Sequence, residues 1–225
     1  MKRLSTILLV VLLFSSLAHV SKAGTYYVVN GESFSLSPAA GSNFFQYLWT
    51  LDPGAGQTIQ TLDQASGGVL THTFSDAATS PSIHKITLGV IEVLDGCLSN
   101  VVEHTVIVLP KLTVSVTADK ENFCTDKTVT ATLSATVSAT TGLDTYGVTI
   151  SPFAWSKGAS VISGQSSSSL NVTEAGTYSA LVSYVLPTVG DFIPTASKLT
   201  GSVIGGTKEI LHNLPVPTVP AITLN

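Results

Sequence analysis

Two cysteines, Cys97 and Cys124, are the strongest nucleophiles the chain offers beyond its first residues. Neither has a histidine close by in sequence, so no thiolate–imidazole pair is suggested. A disulfide between them depends on the path of the chain. If residues 101–109 and 111–118 run on in one direction, the sulfurs end far beyond the roughly 6 Å Cα spacing a bridge needs. If the chain folds back at Pro110, they meet. His72, His84, His104 and His212 stand without histidine or cysteine partners at i+2 or i+4, so no zinc motif is read. Asp119, Glu121 and Asp126 form an acidic group of the oxygen type that calcium takes. It has no D-x-D-x-D loop, and Lys120 and Lys127 interleave with it. The serine-rich run 163–169 holds no G-x-S-x-G elbow, and no glycine-rich phosphate loop occurs. The sequence therefore assigns no catalytic, cofactor-binding or metal-ligating residue, and it reads as non-enzymatic with no cofactor.

Charge narrows the partners. Met1-Lys2-Arg3, the apolar run Ile7–Phe14 and Ser21-Lys22-Ala23 have the layout of a secretory signal peptide over residues 1–23. The apolar run is too short to cross about 30 Å of hydrocarbon. No membrane insertion is expected after cleavage, and the expected address is secreted or cell surface. That segment holds Lys2, Arg3 and Lys22 and no acid, so residues 24–225 keep 7 of the 10 basic side chains and all 14 acids. A net charge of −7 with no arginine disfavours nucleic acid, whose affinity comes from neutralising phosphates.

The elements that would position any site are strands. Apolar and polar residues alternate in Tyr47-x-Trp49-x-Leu51, Ile86-x-Leu88-x-Val90 and Val102-x-His104-x-Val106-x-Val108. The second half repeats this in Leu112-x-Val114-x-Val116 and Ala131-x-Leu133-x-Ala135-x-Val137. A period of two means one buried face and one wet face. Turn residues separate the runs, Asp95-Gly96 giving a hairpin signal and Glu174-Ala175-Gly176 another. No capped helical stretch is found. Each half carries one tryptophan in phase with buried neighbours, Trp49 and Trp155, which suits the space between two packed sheets. Pro110-Lys111 is the expected join. The prediction is an all-β chain of two immunoglobulin-like β-sandwiches in tandem, at 24–110 and 111–213. Tyr178, opening a strand after Gly176, is expected to turn its hydroxyl back onto the chain as a tyrosine corner.

Short motifs add a resemblance. Tyr47-Leu48-Trp49-Thr50-Leu51-Asp52-Pro53-Gly54, His72-Thr73-Phe74 and the stretch from Ile86 to Asp95-Gly96-Cys97 resemble polycystic-kidney-disease-type (PKD-like) domains. The acidic G-D-G turn of those domains is missing here. Phe153-Ala154-Trp155-Ser156-Lys157-Gly158 and Val172-Thr173-Glu174-Ala175-Gly176-Thr177-Tyr178 are similar to bacterial immunoglobulin-like repeats. The resemblance implies modules of large secreted and surface proteins of Gram-negative bacteria, serving as spacers and in adhesion.

Residues 214–225 read as a Pro-rich extended tail. Pro215, Pro217 and Pro220 remove three backbone donors, and Ala221–Leu224 resembles the start of a strand. Such a tail could pair with a sheet edge and support self-association. The expected function is a structural or adhesion module that contacts an unknown protein or surface glycan. A carbohydrate-binding accessory is the first alternative. It would need two or more aromatics on one exposed face, with Tyr26, Tyr27, Phe44 and Tyr184 as the spare candidates. A secreted hydrolase is the second.

Overall fold

A computed structural model describes residues 23–39, 43–52, 54 and 57–220. The signal-peptide expectation rests on residues 1–22, and the strand expected at Ala221–Leu224 on the last five. Both lie outside the described residues.

The chain is all-β, and its described residues include two single-turn 3-10 helices, Gln64–Ser66 and Asp144–Tyr146. Its first seven strands are β1 (Thr25–Val29), β2 (Phe34–Leu36), β3 (Gln46–Leu51), β4 (Thr58–Asp63), β5 (Leu70–His72), β6 (Ser82–Ile91) and β7 (Val102–Leu109). The next seven are β8 (Leu112–Ala118), β9 (Asn122–Cys124), β10 (Ala131–Val137), β11 (Thr149–Ile150), β12 (Ala154–Lys157), β13 (Ser160–Val161) and β14 (Ser169–Val172). The last five are β15 (Gly176–Leu181), β16 (Tyr184–Val185), β17 (Ala196–Lys198), β18 (Val203–Ile204) and β19 (Gly206–Leu214).

Pairing order defines the architecture. In the second half, β14-β10-β8-β18 form one sheet and β13-β12-β15-β19-β9 the other. The first, second and fifth main strands thus share a sheet. The third, fourth, sixth and seventh share its partner, which is the order of an immunoglobulin-type sandwich. In the first half, β2 pairs with β5, and the longer ladder runs β17-β1-β7-β6-β3-β4. Second with fifth and third with sixth recur, so the two halves repeat one pairing scheme.

Packing density divides the residues differently, into two compact units, with β6 and β7 running through both. Among the described residues, one unit holds 23–24, those of 37–68, and Lys85–Thr105. Here β3 is antiparallel to both β4 and β6, with Trp49 opposite Gln60 and Leu88. Its alternation buries Tyr47, Trp49 and Leu51, as the period-two pattern requires. The Trp49 indole N–H donates to the Gly68 carbonyl at 2.8 Å. Gly68 has φ +68°, and a Cβ there would stand 2.5 Å from the Tyr47 ring. Glycine is demanded twice at this position, by its backbone and by the ring lying on it.

Among the described residues, the other unit holds Thr25–Leu36, Val69–His84 and 106–220. Its core gathers Trp155, Leu133, Leu112, Ile210 and Tyr178 with Tyr27, Ile107 and Leu109. Trp155 is fully buried and donates to the Ser167 carbonyl at 2.8 Å. The Tyr178 hydroxyl donates to the Glu174 carbonyl at 2.9 Å, four residues back, which is the expected corner. Gly176 makes that turn at φ +148°. Only Pro110 and Lys111 separate β7 from β8. The last strand runs two residues beyond His212, to Leu214, because Leu214 pairs with Cys124 of β9 and its carbonyl accepts from Thr125.

Candidate functional site

The long connection between β15 and β19 was not foreseen. Residues 186–205 leave the second sandwich's ladder order and place β17 parallel to β1, with Tyr26 opposite Ala196 and Val28 opposite Lys198. β18 then pairs parallel with β8. Hydrogen bonds fix this excursion. The Tyr27 hydroxyl donates to the Phe192 carbonyl at 2.8 Å and reaches the Tyr146 carbonyl at 3.3 Å. Burial pushes the Tyr27 phenol up to about 12. The Tyr184 hydroxyl donates to the Pro110 carbonyl at 2.6 Å, and its phenol is raised further by burial. Lys111 pairs with Glu32 at 2.6 Å, which holds the Glu32 carboxyl below its usual range.

These positions remove two of the four aromatic candidates for a carbohydrate-binding face. Tyr27 is fully buried and Tyr184 nearly so, each with its hydroxyl committed to a backbone carbonyl. Neither can offer a ring face to a sugar. Tyr26 and Phe44 remain half-buried. A cleft of about 110 Å³ lies between β1, β2 and β17, lined by Phe34, Leu36 and Lys198 among others. Small-molecule sites occupy roughly 300–1,000 Å³, so this one is too small for a sugar chain or cofactor.

One group of catalytic residue types does come together. Ser82, His84 and Asp76 meet where the β5–β6 loop returns. His84 Nε2 stands 2.9 Å from Asp76 Oδ2 and 3.1 Å from Ser82 Oγ, and Ser82 Oγ is 3.2 Å from Asp76 Oδ1. A nucleophile relay uses both imidazole nitrogens, one toward the serine and the other toward the acid. Here one nitrogen meets both partners. Nε2 must carry a proton to bond the carboxylate, and the Ser82 hydroxyl also donates to that carboxylate. The imidazole therefore has no lone pair aimed at the serine proton. Phe74 stacks on the His84 ring at 4.0 Å and meets His72 edge-on at 4.5 Å, while Phe34 stacks on Phe74 at 5.7 Å. The trio acts as a clasp on a loop over an aromatic stack. Sequence spacing shows part of it, since Ser82 and His84 stand two apart on β6, but the return of the loop is what brings Asp76 to them.

The remaining candidates are dispersed. Asp119 Oδ1 accepts from the Thr132 amide at 2.7 Å. Glu121 pairs with Lys208, and Asp126 with Lys127 at 3.3 Å. The three carboxylates thus go to separate partners. Among the described residues no group of three or more histidine, cysteine or acidic side chains converges in the manner of a metal site. Cys97 and Cys124 are both free thiols, Cys97 exposed and Cys124 half-buried. His104 accepts at Nδ1 from the Gly24 amide at 3.1 Å, and burial lowers its pKa. No helix among the described residues is long and apolar enough to cross a membrane.

Comparison with known proteins adds little. No family model matches the chain, and no curated protein matches it. Solved structures similar to it include Dscam1 isoform 1.9, N-terminal four Ig domains, at 16% identity and a TM-score of 0.32, covering 88% of this chain and 45% of that one. The fibronectin(III)-like modules of Clostridium thermocellum CbhA are similar at 14% identity and a TM-score of 0.37, with 90% and 98% covered. This chain spans less than half the length of the Dscam1 chain. The fold assignment stands on the strand order itself.

Proposed function

We propose that this chain is a non-enzymatic module of an extracellular or cell-surface protein, serving adhesion or spacing through contacts with another protein. The observation that carries this reading is the fate of its polar groups. The Ser82–His84–Asp76 trio spends its protons on a carboxylate, and the acids near β9 each hold a neighbouring strand or side chain. These residues are engaged in holding the scaffold. The expected leader at 1–23 supports export. The PKD-like resemblance of the first sandwich, at 24–110, and the bacterial immunoglobulin-like resemblance of the second, at 111–213, support a tandem surface module. The tail at 214–225 suits edge pairing, in this chain or a neighbour. Glycan binding keeps only Tyr26 and Phe44 of its four candidates, and the geometry of the trio adds no support to hydrolysis.

The test is to present the full chain to arrays of extracellular proteins and glycans. Saturable binding to at least one protein surface is expected. Binding confined to glycans, or no saturable binding at all, counts against the reading.

A further inference from the structure

The outer face of the β3–β4–β6 sheet is apolar at its centre and acidic around it. Tyr47, Trp49 and Leu51 point inward, so Leu48 and Thr50 point outward, with Ile59 and Thr61 of β4 opposite Thr50 and Leu48. Gly89 of β6 lies opposite Leu48. Having no side chain, it lets the return loop settle on this face. A Cβ at Gly89 would lie 3.0 Å from Leu98 and 3.2 Å from Val101. Yet Ile59, Leu98 and Val101 remain 53%, 50% and 56% exposed, and Val93 and Leu94 at the loop tip are 62% and 68% exposed. Scattered apolar residues need no explanation, but Ile59, with Leu98 and Val101 over Gly89, lies exposed on one sheet face, which suits an interaction site.

The surrounding charge says what kind of partner fits. Ser37–Gly68 and Lys85–Thr105 contain Asp52, Asp63, Glu92, Asp95 and Glu103 against the single cation Lys85. Lys85 is already bound to Glu103 at 2.7 Å. A second copy would bring the same acids to the same rim, so self-pairing through this face is opposed by like charge. Interfaces join apolar centres and complementary rims.

We infer that this face docks a protein segment with aliphatic side chains at its centre and lysines at its edge. The inference rests on the reading of the chain as an interaction module and names the chemistry of its partner. Aliphatic side chains of the partner cover Ile59, Leu98 and Val101, and its lysines meet Asp63, Glu92 and Asp95. Apolar contact supplies holding strength, and the charges supply encounter rate and selectivity.

Three synthetic peptides test this against the full chain by titration calorimetry: alternating lysine and leucine, alternating glutamate and leucine, and alternating lysine and serine. The lysine–leucine peptide should bind at least about tenfold more tightly than either control. Its affinity should fall as salt is raised toward about 0.5 M, where screening is nearly complete. Ile59→Ser combined with Leu98→Ser should weaken it about tenfold or more. Asp63→Asn combined with Glu92→Gln should flatten the salt dependence. Circular dichroism and melting confirm that each variant is folded. Equal binding of the three peptides, no binding of the lysine–leucine peptide, or full binding by the folded Ile59→Ser/Leu98→Ser variant overturns the inference. If that variant keeps a protein partner found on the arrays, the face is wrong while the interaction-module reading stands.

Discussion

Tyr184→Phe removes one oxygen and leaves the ring in place. That oxygen sits in a buried site and donates to the Pro110 carbonyl at 2.6 Å, across 74 residues of sequence. Proline has no N–H, so Pro110 enters the backbone hydrogen-bonding pattern through its carbonyl alone. Phenylalanine would leave that carbonyl without this donor in a place where water does not easily enter. The net value of an average hydrogen bond is about 1 kcal/mol, but an orphaned buried acceptor costs about 1–3 kcal/mol. The short distance and the burial of both residues place the expected loss near 2 kcal/mol. For a protein of this size that is roughly 4–8 °C in Tm. Guanidinium unfolding followed by tryptophan fluorescence measures it, since Trp155 lies in the same compact unit as both partners. Unchanged m-values would show that the folded state was altered and not the unfolded ensemble. A change within about 0.5 kcal/mol, the range of ordinary surface substitutions, would refute the claim that this bond fastens the β15–β19 connection to the join at Pro110.

Other substitutions probe separate points. Gly68→Ala should cost about 2 kcal/mol or more in chemical denaturation, because it meets the Tyr47 ring and a left-handed backbone together. Trp49→Ala and Trp155→Ala should each cost about 3–5 kcal/mol, with loss of the dispersed near-ultraviolet dichroism signal. His104 resists protonation in the folded chain, so the unfolded chain takes up the proton first as pH falls below about 6.5. Stability should decline from there down through the lower folded pKa, and His104→Asn, which keeps an acceptor for Gly24, should flatten that slope in melts across pH 4–8. Ser82→Ala should leave every binding activity intact, and esterase assays should read the same before and after the substitution.

Much of the scaffold was legible because burial alternates along single strands. Trp49, Trp155 and the Ala131–Val137 run lie in the phase their sequence shows. Tyr178 was legible for a local reason, since a glycine turn and an acceptor four residues back complete a corner without distant help. β1 was harder. Tyr27, Val28 and Val29 are buried in succession, so the alternation that would reveal a free face is absent, and Tyr27 was misjudged as spare. β17 was invisible: Ala196-Ser197-Lys198 carries no pattern, and it is a strand only because β1, about 170 residues earlier, offers it an edge. At Asp95-Gly96 the turn was expected, but Asp95 takes the left-handed backbone at φ 61°. Gly96 is required instead because a Cβ would come within 2.8 Å of the Val93 carbonyl. The clasp of Ser82, His84 and Asp76 went unseen because a loop path brings Asp76 back to the Ser82-x-His84 pair on β6.

The central claim is that the chain binds and does not turn over what it binds. Intact-mass spectrometry of a partner protein, before and after prolonged saturation with the full chain, measures this most directly. The account predicts that the partner is recovered with its mass unchanged. A partner returned cleaved or otherwise altered, with the change abolished by Ser82→Ala or His84→Ala, would contradict it.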